Sequence, residues 1–111
     1  VVSKIPQAPK HLAAESRRTW RRVLETYDLG PDQVMTLQAM LENWDRAQQA
    51  REILAKNGGP LLVEDGRTKR HPAIDVEKQA YSLFQRLQRT LGIDLEPPGP
   101  VGRPPGAGGA L

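Results

Sequence analysis

Cysteine is absent from the 111-residue sequence, which removes disulfides, Cys-ligated zinc, iron–sulfur clusters and thiol catalysis. Aromatic residues make up only 5% of the chain, so any core must be built mainly from aliphatic side chains. No apolar run approaches the roughly 20 residues that a membrane-spanning helix needs. The opening VVSKIPQAPK does not read as a signal peptide. The expectation is a soluble intracellular protein with no membrane partner. Charge of one sign is not in large excess either. Sixteen Lys and Arg against 13 Asp and Glu leave a net +3, which permits an acidic partner without demanding one.

Proline and glycine are plentiful but concentrated. Residues 97–109 hold five Pro and five Gly and almost nothing able to pack, so residues 95–111 are expected to form a disordered tail. Residues 1–9, with Pro6 and Pro9, read as an extended arm. The foldable domain is placed at residues 10–94. Charge is uneven across it: residues 1–30 carry net +3, residues 31–57 net −1 and residues 58–93 net +2.

Three stretches have helical periodicity. Leu12, Ser16, Trp20, Val23, Leu24 and Tyr27 recur at spacings of three and four, with Arg17, Arg18, Arg21 and Arg22 on the opposite side. Gly30-Pro31 then breaks one helix and starts the next. Val34, Leu37, Leu41, Trp44, Ala47 and Leu54 form a second stripe, and Arg51 inside it must reach solvent or meet a carboxylate. After Asn57-Gly58-Gly59-Pro60 the period changes. Leu61–Glu64 and Arg67–Arg70 around Asp65-Gly66 read as a short β-hairpin. Pro72 opens a third helix carrying Val76, Ala80, Leu83, Phe84, Leu87 and Leu91, and Gly92 stops it. The expected fold is mostly α: three helices, a hairpin between the second and third, and the tail. So few large apolar residues make a thin core. Self-association is the expected remedy, with Trp20, Leu37, Leu41, Trp44, Leu83 and Leu87 in the core or at a subunit interface.

Catalytic patterns are missing. HExxH, G-x-S-x-G, GxxxxGK[ST] and GxGxxG do not occur, and His11 and His71 read as turn or capping residues. The pairs Glu42/Asp45 and Asp75/Glu77 adjoin basic groups and read as solvated helix faces. No catalytic residue, metal site or cofactor is assigned.

The arginine quartet is the sharper signal. Repeating Arg17-Arg18 as Arg21-Arg22 forms a guanidinium ridge on one helix side, a geometry that suits phosphates with planar bidentate donors. Such contacts are largely blind to sequence. The plain alternative is a partly neutralised soluble face, with Glu15 pairing Arg18 and Glu25 pairing Arg21 and Arg22. Arg67, Lys69 and Arg70 on the hairpin either extend a phosphate-binding surface or protect an edge strand. The first two helices have a helix-turn-helix outline, but the basic ridge lies on the first, so an ordinary αα-hairpin fits better.

In order along the chain come Ala8-Pro9-Lys10-His11-Leu12, a helix centred on Trp20, and a long helix from Asp32 with Ala47 and Ile53-Leu54. A Gly58-Gly59 break, a polar hairpin with His71-Pro72, and a helix closing on Leu91-Gly92-Ile93 follow. Over residues 6–94 this order resembles the small terminase subunit of tailed bacteriophages, in the P27 family. The resemblance implies a non-catalytic packaging subunit of the host cytoplasm that binds double-stranded viral DNA and assembles into a homo-oligomeric ring. It also implies delivery of DNA to the large terminase subunit, which carries the ATPase and nuclease. Phosphate contacts then fall to Arg17, Arg18, Arg21 and Arg22, with Arg67, Lys69 and Arg70 next. The rival reading is a helical protein–protein interaction module that never touches nucleic acid.

Overall fold

A computed structural model describes residues 5–93; the expected tail and the first four residues of the arm lie outside the described residues. The element order is α1 (Ala14–Thr26), α2 (Pro31–Lys56), β1 (Leu61–Glu64), β2 (Arg67–Arg70) and α3 (Ala73–Leu91). Three helices with one hairpin between the second and third is the architecture the periodicity predicts.

Each boundary has a local cause. Pro31 occupies the first turn of α2, where its missing N–H costs nothing. Three residues after Gly30, Gln33 reaches back so that its Oε1 accepts the Gly30 N–H at 3.0 Å. The hairpin turns through Asp65 and Gly66, both at positive φ (50° and 74°), as the tight turn between twisted strands requires. Its strands pair antiparallel in the register Leu61↔Arg70, Leu62↔Lys69, Val63↔Thr68 and Glu64↔Arg67. His71 caps α3: its Nδ1 accepts the Ala73 N–H at 3.0 Å.

The helix α2 is the spine. Its 26 residues span about 39 Å. Trp44 meets Phe84 with ring centroids 5.0 Å apart. Two turns further on, Arg51 Nε donates to Glu77 Oε2 at 2.8 Å, so the arginine inside the apolar stripe does meet a carboxylate. These contacts run in opposite directions along the two helices, which makes α2 and α3 antiparallel. Ala47 and Ala50 on α2 and Ala73 and Ala80 on α3 are buried, small residues that let the two backbones approach closely. On α2, Leu37, Met40 and Leu41 join Trp20 and Val23 of α1, and Phe84 and Leu91 of α3, in one core. Because α2 contacts a helix on two sides, it is apolar over more of its circumference than a surface helix.

The arm is tied down rather than free at its described end. The Trp20 indole Nε1–H donates to the Pro6 carbonyl at 2.9 Å, and Ala8 packs against the core. Trp20 thereby buries its ring while satisfying its one polar atom.

Candidate nucleic-acid interface

Helix α1 lacks a cap of its own. Its first residues follow Ala13, whose side chain has no acceptor. The missing group comes from α2. Asp45 Oδ2 accepts the Ala13 N–H at 2.8 Å, and Asp45 Oδ1 accepts the Ser16 hydroxyl at 2.6 Å. Beside it, His11 Nε2 and Glu42 Oε2 lie 2.6 Å apart. These contacts place negative charge at the positive end of the α1 dipole. Reading Glu42 and Asp45 as part of a solvated face therefore missed their task. The available signal was a helix opening on Ala13-Ala14 without Ser, Thr, Asp or Asn before it.

With Ser16, Thr19, Trp20 and Val23 buried, the helical step turns Arg17, Arg18, Arg21 and Arg22 outward, and all four are exposed. Glu15 accepts Arg18 at 2.7 Å, the pairing expected for a plain soluble face. That pair is itself exposed, so it contributes little stability and leaves Arg18 accessible. Arg17 and Arg21, one turn apart, have no side-chain partner among the described residues. Their guanidinium groups point away from the core with donors uncommitted.

The hairpin cluster sits elsewhere. Arg67, Lys69 and Arg70 are exposed, Lys69 pairs with Glu64 at 3.2 Å, and Arg70 pairs with Asp75 at 3.0 Å. Arg67 has no side-chain partner among the described residues. The two basic clusters stand on different elements, α1 and β2. A cleft between the start of α1 and the last turns of α2 carries Glu15, Asp45 and Glu52.

Of the six residues expected in the core or at an interface, Trp20, Leu37 and Leu41 lie inside the chain's own core. The reason is that α1 covers the first half of α2 and fills that stripe. Trp44 and Leu87 are half-buried, and Leu83 is 38% exposed. Larger exposed apolar groups stand where the periodicity placed none: Met35 at 70% and Val63 at 76%.

Among the described residues there is no group of three or more His, Asp or Glu side chains able to hold a metal ion, and no helix is long and apolar enough to cross a membrane. No curated protein and no solved structure matches this chain. A family profile described as phage terminase, small subunit, matches residues 13–97, from the Asp45-capped start of α1 through the whole of α3. That match covers most of the sequence, and the chain belongs to the phage terminase small-subunit family.

Proposed function

We propose that this chain is the non-catalytic DNA-recognition subunit of a viral packaging machine, acting in the host cytoplasm. It binds double-stranded viral DNA at the packaging site through phosphate contacts from Arg17, Arg18, Arg21 and Arg22. It self-assembles, with a ring as the expected form, and hands the DNA to the large terminase subunit. The observation that carries this reading is the outward pair Arg17 and Arg21, exposed and uncommitted on the face of α1 opposite the core.

Arg67, Lys69 and Arg70 are the second rank of phosphate ligands. The two clusters stand on different elements of the chain, α1 and the hairpin, and copies side by side repeat both. Assembly also multiplies weak single-chain contacts through effective concentration, so a net +3 per chain suffices for firm binding. Leu83 and the neighbouring Leu87 are the candidate contact residues between copies.

Electrophoretic mobility of a linear duplex, titrated with protein over a range of salt, tests the reading. Binding that weakens steeply with salt and is abolished by Arg17→Glu/Arg21→Glu is the expected result. Failure to retard DNA even at low salt, with the assembly intact by light scattering, would favour the protein-interaction module instead.

A further inference from the structure

The cleft beside Trp44 is not used by the proposed DNA contacts. It has a volume of about 470 Å³ and lies where α1 stops covering α2, with Trp44 and Ala55 on its apolar lining. Its polar groups are unequal. Asp45 is committed to capping α1, Glu15 pairs with Arg18, and Arg51 pairs with Glu77. Glu52 alone among these charged groups has no partner among the described residues. The cleft thus offers an aromatic surface and, on the same helix, one spare carboxylate two turns away.

The sequence that follows α3 has the complementary chemistry. Residues 97–105 read PPGPVGRPP, and Arg103 is the one cation between positions 94 and 111. Proline-rich segments dock on aromatic-lined grooves because their extended backbone is already restricted, so little entropy is lost on binding.

The lengths also agree. Trp44 faces Phe84 and Arg51 faces Glu77, so in the antiparallel pair Ile93 lies about level with Met35. From that level Trp44 is about 14 Å along α2, and Glu52 about 26 Å, at 1.5 Å per residue. A proline-type extended chain leaving Ile93 reaches Pro97 and Pro98 after about 12–16 Å, and Arg103 after about 31 Å, at 3.1 Å per residue. The surplus allows for crossing from α3 to the cleft.

We infer that residues 97–105 of the same chain dock in this cleft, prolines against Trp44 and Arg103 on Glu52. In the docked state this segment covers the exposed edge of Trp44.

The full chain has no cysteine, so an Ala107→Cys variant carries a single nitroxide label. In ¹H–¹⁵N spectra, docking predicts signal loss concentrated at Gln48 and Ala55, with Met35 spared. Arg103→Glu should shift the loss to Met35 and the last turn of α3, near the root of the segment. Adding Glu52→Arg to that variant should restore the docked pattern. Loss centred on Met35 in the parent chain, or a pattern unmoved by Arg103→Glu, overturns the inference. Loss at Gln48 seen only when labelled copies are mixed with separate ¹⁵N copies assigns the cleft to a second copy's segment, and overturns it as well.

Discussion

Ser16 and Asp45, 29 residues apart in sequence, are joined by a 2.6 Å hydrogen bond from the Ser16 hydroxyl to the Asp45 carboxylate. The same carboxylate holds the Ala13 N–H, so one side chain of α2 sets where α1 begins. In a usual capping box an acid within the helix reaches back to that N–H. Here the acid is borrowed from a neighbouring helix, and the cap therefore exists only once the two helices have met.

Replacing Asp45 by Ala removes the cap and leaves a buried hydroxyl without its acceptor. The expected loss is about 1–3 kcal/mol, by analogy with cap deletions and unsatisfied polar groups. Urea unfolding measures it. Amide exchange should accelerate first in residues 13–17, and a uniform change along the chain would contradict the role assigned to Asp45.

For DNA, each arginine removed should flatten the dependence of log affinity on log salt by about 0.9 for every phosphate it no longer neutralises. Arg17→Ala and Arg21→Ala are expected to act equally on duplexes of different sequence. Arg18→Ala should give a smaller effect in the presence of its Glu15 partner. Fluorescence anisotropy over a salt series separates these cases.

Self-association through α3 predicts that Leu83→Asp lowers the mass seen by light scattering while thermal stability changes little. Leu83 is only partly covered by its own chain, and surface substitutions of this kind usually fall within about 0.5 kcal/mol. An unchanged assembly would move the subunit contact to another surface.

Phe84 is 1% exposed, contacts Trp44, and is the only phenylalanine in the chain. Phe84→Ala should cost about 3–5 kcal/mol, the range for truncating a buried aromatic. In so small a core this is a large share of total stability, and circular dichroism melting should show a partly unfolded protein at ambient temperature.

At the hairpin, Gly66 holds φ 74°, with nothing nearby to obstruct a side chain. Gly66→Ala should therefore cost about 1 kcal/mol through backbone strain alone. Gly66→Asn should cost less, because Asn tolerates the left-handed region. Both follow from denaturant midpoints.

Local chemistry made much of the molecule legible from the amino acids alone. Apolar spacing, Gly30-Pro31, Asp65-Gly66 and Gly92 specify where helices and turns begin and end, because those preferences act between residues close in the chain. The outward direction of the four arginines follows from the same helical step. Tertiary packing decided the rest. It determined that Asp45 serves as a cap rather than a solvated acid, that Arg51 finds Glu77, and that Trp20, Leu37 and Leu41 serve the chain's own core. Each of these depends on which helix lies against which and at what level, and such long-range distances leave no periodic trace in a linear sequence.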